Sequence, residues 1–192
     1  MLYNNVEIYR KEILEMVKFL IEQGFDVRPP QRDAGNVGVD FFVPKLNDTF
    51  KEAFNAKNNP LKARIKTDEE GKSYIIVAPH GDANIPSGIH SLPPENVGLI
   101  AVNKSGIASK KKFVVGACLV DPNYEGIIHC HMINTSDQVQ TIDLDSKIVQ
   151  FVPYIFDTDT IEVCDGLSKE EFYKDLAFNN RGDGAFGSTG VN

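Results

Sequence analysis

The sequence predicts a mainly β protein, a compact β-barrel or jelly-roll-like domain with an added N-terminal helix and short helical insertions. Three observations carry this. Short stretches rich in Val and Ile recur from residue 39 to residue 154, separated by Gly, Pro, Asn and Asp. Helical periodicity is confined to the two ends and one insertion, so alternating strand–helix–strand units are not expected. At 192 residues, 42% hydrophobic and 24% charged, the chain has the size and composition of one globular domain with additions.

Residues 4–23 read as a helix. Val6, Tyr9, Ile13, Met16, Val17, Leu20 and Ile21 recur at three- and four-residue steps. Asn4 with Glu7 suits its start, and Gly24 its stop. This stripe is expected to pack on the domain or on a sister subunit. Pro29 and Pro30 then break the chain. Val39–Val43 reads as a strand ending at Pro44, and residues 47–57 as a small helix. Residues 58–72 are rich in Lys, Asn and Glu and read as an inserted loop. Further strands are expected at Ser73–Ala78, Val97–Val102, Lys112–Val120, Gly126–Ile133, Gln138–Leu144 and Lys147–Tyr154. Ser168-Lys169-Glu170-Glu171 is a capping-box pattern opening a helix to about Phe178. The expected organisation is an N-terminal helical extension over 1–30, a β domain over 31–178 with an insertion at about 45–72, and a Gly-rich tail over 179–192.

Composition excludes several classes. The net charge of −7 gives no overall pull toward nucleic acid or an anionic membrane, so any phosphate site must be local. The apolar run Phe113–Val120 is far too short to span a bilayer. The first residues are polar, with Asn4, Asn5, Glu7 and Arg10, so no secretory signal is expected. Cys118, Cys130 and Cys164 are an odd count without paired spacing, which points to a reduced, cytoplasmic setting.

The tail carries the densest chemical signal. Arg181-Gly182-Asp183-Gly184-Ala185-Phe186-Gly187-Ser188-Thr189-Gly190 combines four glycines, a guanidinium, one aromatic ring and a Ser-Thr pair. Glycines let backbone N–H groups approach an anion, and consecutive amides make anion-binding concavities. Arg181 offers a planar fork for phosphate oxygens, and Phe186 a face for a nucleobase. Upstream, five further segments occur in order. They are Val37-Gly38-Val39-Asp40-Phe41, Ile85-Pro86-Ser87-Gly88-Ile89, Lys104-Ser105-Gly106-Ile107-Ala108, the run Val115 to Gly126 with Asn134 beyond it, and Asp145 to Gln150.

This order and spacing resemble the trimeric dUTPase family, the dUTP nucleotidohydrolases that release dUMP and pyrophosphate. The resemblance runs from about residue 34 to the end and implies a β-clip, jelly-roll-like barrel working as a homotrimer on the small-molecule substrate dUTP. It implies neither nucleic-acid nor membrane binding, and it leaves any protein partner of the N-terminal extension unknown. Asp121 falls where the family keeps its general base, which orients and deprotonates the attacking water. Tyr124 would press on the sugar at a hairpin bend and exclude a 2′-hydroxyl. Backbone groups of Cys118, Leu119 and Val120, with His129, match the positions that read uracil. Cys118 replaces the usual glycine. Ser105 and Gly106 match phosphate-binding positions, and Lys104 stands where arginine is usual. Gln150 matches an amide donor near the α-phosphate. Arg181 and Ser188-Thr189 would reach the γ-phosphate, and Phe186 with Gly187 would close over the base. The cofactor implied is Mg2+, with Asp40 holding one of its waters.

Other readings stay open at this level. The dCTP deaminases share the fold, but they place a catalytic glutamate where this chain has His131. A non-catalytic, nucleotide-binding regulatory protein is the third reading, with residues 1–30 and 45–72 as its partner surface. His129 and His131 share one strand face, with Cys130 on the other; interface packing is expected of them rather than zinc binding. Lys110-Lys111-Lys112 reads as a solvated turn.

Overall fold

The computed structural model describes residues 17–156, 165, 166 and 168–173. The chain divides into two compact units, Met1–Phe156 and Asp157–Asn192. The first is mainly β. Its strands, in chain order, are β1 (Lys18–Ile21), β2 (Val39–Phe42), β3 (Ala63–Thr67), β4 (Ser73–Val77), β5 (Asp82–Pro86), β6 (Ile89–Leu92), β7 (Val97–Asn103), β8 (Phe113–Val115), β9 (Leu119–Val120), β10 (His129–Asn134), β11 (Gln140–Asp143) and β12 (Lys147–Ile155). Two helices accompany them, α1 (Asp48–Lys57) and α2 (Ser105–Lys111). In the second unit a short helix, α3, is described over Lys169–Tyr173.

Every strand pairing is antiparallel. The sheets have the orders β2-β12-β7-β9, β5-β10-β8, β11-β4-β3 and β1-β6. The expected mainly β, jelly-roll-like architecture is therefore present. Its centre is aromatic. Phe41 packs against Phe151 at 4.5 Å between ring centroids and edge-on against Phe19 at 5.5 Å. Phe42, Phe50, Phe54 and Phe113 are also fully buried. Burying one such side chain contributes about 1.5–3 kcal/mol.

The sheet containing β12 positions most of the candidate site residues. The register of β12 against β2 shifts between Lys147 and Val149. The extra residue, Ile148, is buried together with Val149, which strict alternation would not allow. The same bulge leaves Lys147 beside the Asp40 carboxylate on β2.

The predicted helix over 47–57 is present as α1. The Asn47 side chain accepts from the Phe50 N–H at 2.8 Å, and Phe50 and Phe54 face the core one turn apart. The capping box at Ser168 also forms, with the Ser168 N–H donating to Glu171 Oε2 at 2.9 Å. The expected continuation of that helix to Phe178 lies outside the described residues.

Several expectations are corrected. The helix predicted over 4–23 does not reach its proposed end, because Lys18–Ile21 is a strand paired with β6. Val17 and Phe19, two residues apart, pack on the core, whereas Leu20 and Ile21 of the helical stripe are exposed. Pairing to a strand edge thus overrides the local period. The part of that helix before residue 17 lies outside the described residues. The supposed loop over 58–72 contains β3, which forms a hairpin with β4. Its turn is closed by Asp68, whose Oδ1 accepts from the N–H groups of Glu70 and Lys72. Lys112–Val120 is not one strand: β8 ends at Val115 and β9 joins a different sheet. Strands β5 and β6 and helix α2 were not anticipated.

Candidate active site

The break between β8 and β9 shapes the site. The chain turns at Gly116-Ala117-Cys118 and leaves the β10 sheet for the β7 sheet. The Gly116 N–H donates to the His131 carbonyl at 2.9 Å, and the Ala101 N–H donates to the Cys118 carbonyl at 2.7 Å. These bonds pin the turn to both sheets. Strand β9 lies at an edge, so one row of its backbone groups has no strand partner among the described residues.

After β9, Asp121 opens a turn closed by the Tyr124 N–H donating to the Asp121 carbonyl at 3.2 Å. This segment links two sheets; β9 and β10 are not a hydrogen-bonded hairpin as expected, because β9 pairs with β7 and β10 with β5 and β8. The Tyr124 hydroxyl donates to the Ile127 carbonyl at 3.1 Å, folding the ring over Gly126. A Cβ at Gly126 would lie 2.4 Å from that hydroxyl, so only glycine leaves the ring this position.

Together these elements bound a cleft of about 350 Å³. Its walls include Cys118, Leu119, Val120, Asp121, Tyr124 and His129. The structure thus brings six of the predicted site residues together. Lys57, Asn84, His131 and Phe151 also line the cleft and were not anticipated as site residues. Lys57 comes from the insertion. The Asn58 side chain next to it both donates to the Asn84 carbonyl at 2.9 Å and accepts from the Asn84 N–H at 2.7 Å. Burial lowers the His129 pKa, against the pull of its hydrogen bond to the Ile127 carbonyl, and the Lys57 charge adds to the lowering. The neutral ring is therefore favoured. On the opposite strand face, burial pushes the Cys130 thiol up to about 12, so it stays protonated and inert.

A second group lies outside the cleft lining. Asp40 on β2 pairs in register with Gln150 on β12. Asp40 is 5% exposed and accepts from Lys104 Nζ on one oxygen and from Lys147 Nζ, at 2.8 Å, on the other. Burial pushes the carboxyl up, but the hydrogen bonds and charges of the two lysines prevail and hold it below its ordinary value. Ser105 and Gly106 occupy the first turn of α2, where backbone N–H groups lack intrahelical acceptors. The Gln150 side chain lies against Gly38, whose absent Cβ would be 2.8 Å from Gln150 Oε1. Lys147 is a partner that sequence reasoning missed, although it sits inside the segment that supplied Gln150. Arg181, Phe186, Gly187 and Ser188 lie outside the described residues.

Asp40, expected to hold a magnesium-bound water, accepts from an ammonium group on each of its two oxygens. Among the described residues, no group of three His, Cys, Asp or Glu side chains is placed to hold a metal ion. The carboxylate holds Lys104 and Lys147 in place. Because its pKa is depressed in the folded state, its contribution to stability is complete above the ordinary carboxyl range and is lost as pH falls through the folded-state value. Asp40→Asn is expected to destabilise the protein by about 1.5–3 kcal/mol near pH 7. The gap from wild type should close on acidification, as measured by denaturation from pH 7 to pH 3. A gap independent of pH would contradict the pairing.

No family model matches the chain. It is 31% identical over 152 residues to the deoxyuridine 5'-triphosphate nucleotidohydrolase of Arabidopsis thaliana, covering 79% of this chain and 83% of that protein. The chain belongs to the dUTPase family. The rice enzyme of the same name is 27% identical over 165 residues, covering 86% of this chain and 89% of that one. Among solved structures, the Staphylococcus bacteriophage 80alpha dUTPase with dUPNHPP superposes with a TM-score of 0.62 at 16% identity, covering 92% of this chain and 99% of that one. The EIAV dUTPase gives a TM-score of 0.53 at 14% identity, covering 80% and 99%. A phage phi11 dUTPase structure, with a TM-score of 0.55, is described as showing the coordination of a structural Mg(II) ion in that protein. These likenesses fix the fold. Among the described residues, no helix is long and apolar enough to cross a membrane.

Proposed function

We propose that this protein hydrolyses dUTP to dUMP and pyrophosphate by attack of water on the α-phosphorus, lowering dUTP and supplying dUMP. The observation that carries the reading is the cleft, in which an exposed carboxylate, a tyrosine ring and an edge strand meet. Asp121 orients the water and takes its proton. The unpaired backbone edge at Cys118 to Val120 reads uracil as a partner strand would, with fixed donors and acceptors. Tyr124 packs on the deoxyribose and leaves no room for a 2′-hydroxyl. Lys104, Ser105, Gly106 and Gln150 bind the phosphate chain.

In one chain this phosphate-binding group and the cleft are lined by different residues. A homotrimer, in which one subunit's cleft meets another's Lys104–Gln150 surface, completes the site. The residue types of Arg181, Phe186, Gly187 and Ser188 suit phosphate and base recognition. The substrate is the magnesium complex of dUTP, in which phosphate oxygens hold the ion.

Pyrophosphate and ammonia release from dUTP, dCTP, dTTP and UTP, each with magnesium, tests the reading. Selective pyrophosphate release from dUTP is expected. Ammonia from dCTP, or no product from a folded protein that binds dUTP, would contradict it.

A further inference from the structure

His131 has no role in the reaction just described, yet it lines the cleft and both of its ring nitrogens are hydrogen-bonded to protein. The Ala117 N–H donates to its Nδ1 at 3.0 Å. An atom that accepts from an N–H carries no proton, so the neutral ring holds its proton on Nε2. That nitrogen lies 3.3 Å from Asp82 Oδ2 and donates to it. The other Asp82 oxygen accepts from Lys62 Nζ at 2.8 Å. The His131 backbone carbonyl also takes the Gly116 N–H. One residue thus satisfies two consecutive amides of the turn that leads into β9. The ring lies so close to this turn that a Cβ at Gly116 would be 2.3 Å from Nδ1. Residue 116 must therefore be glycine for the ring to sit where it does.

We propose that Lys62, Asp82 and His131 form a positioning relay that holds the Gly116–Cys118 turn, and with it the base-reading edge of the cleft, in register. The proposal rests on reading the cleft as the deoxyuridine pocket. It gives the insertion a function, since Lys62 belongs to the segment that precedes β3. His131 is a positioning residue: its ring nitrogens are both occupied by protein, so it acts through the Ala117 amide and not on the reacting atoms. A wall fixed before binding loses less freedom when the base docks, so the relay acts on affinity.

The test compares His131→Val, which removes the acceptor, with His131→Asn, whose Oδ1 can occupy the position of Nδ1, and with Asp82→Ala. Backbone amide exchange at Ala117 is read beside steady-state kinetics on dUTP. For His131→Val, exchange at Ala117 is expected to accelerate and KM to rise about five- to tenfold with kcat little changed, the loss of one hydrogen bond. His131→Asn should restore protection and bring KM back within about twofold of wild type. Asp82→Ala, which keeps the Nδ1 acceptor but frees the ring, should fall between wild type and His131→Val. Unchanged Ala117 exchange in His131→Val, or equal KM increases for the Val and Asn variants, would overturn the relay. Wild-type protein inactive on dUTP would instead overturn the functional reading, and the exchange data would still judge the relay.

Discussion

Asp121→Asn is expected to lower kcat on dUTP by about 10²–10⁴-fold, the usual contribution of a positioned general base. The amide keeps the shape of the side chain and can still touch a water, but it cannot take a proton. Asp121 is exposed at the cleft wall, and among the described residues no hydrogen bond or ion pair uses its carboxylate. Its loss should therefore leave folding and assembly intact. The turn it opens is held by its backbone carbonyl, which the substitution preserves. Kinetics and thermal unfolding on the same preparation check both halves of this expectation. Turnover within about tenfold of wild type would remove Asp121 from the base role.

Phe41→Ala is expected to cost about 3–5 kcal/mol of stability. Phe41 is 1% exposed and sits between Phe151 and Phe19, so its removal opens a cavity where β1, β2 and β12 meet. The neighbouring residue on β2 is Asp40, and Phe151 is next to Gln150 on β12. The same cavity would loosen the Lys104–Asp40–Lys147 cluster, so weaker dUTP binding should accompany the loss of stability. Guanidinium unfolding at fixed protein concentration measures the first effect, and KM the second. A cost below about 1 kcal/mol would mean that the aromatic cluster is not the centre of the fold.

The candidate site residues were named through the resemblance of ordered segments to the dUTPase family, and six of them meet in the cleft because they lie close together in sequence. Cys118 to Tyr124 is one short stretch, which puts a carboxylate and a ring on the same turn. The helix α1 was legible because Phe50 and Phe54 repeat one turn apart behind a capping asparagine. What escaped depends on pairing across the fold. Lys18–Ile21 carries a helical stripe, but its strand exists because β6 offers an edge. Ala63–Thr67 hides two inward side chains among charged ones and is held by β4. The Lys147–Asp40 contact sits at a bulge in β12, for which the sequence has no local sign, and Lys104 reaches Asp40 from the end of β7. The His131–Asp82 contact joins residues 49 positions apart.

The central claim, attack of water at the α-phosphorus of dUTP within this cleft, is tested most directly by hydrolysis in ¹⁸O-enriched water with mass analysis of both products. The account predicts a single ¹⁸O in dUMP and none in pyrophosphate. Label in the pyrophosphate would place the attack on the β-phosphorus and contradict the assignment of Asp121 and the phosphate-binding residues.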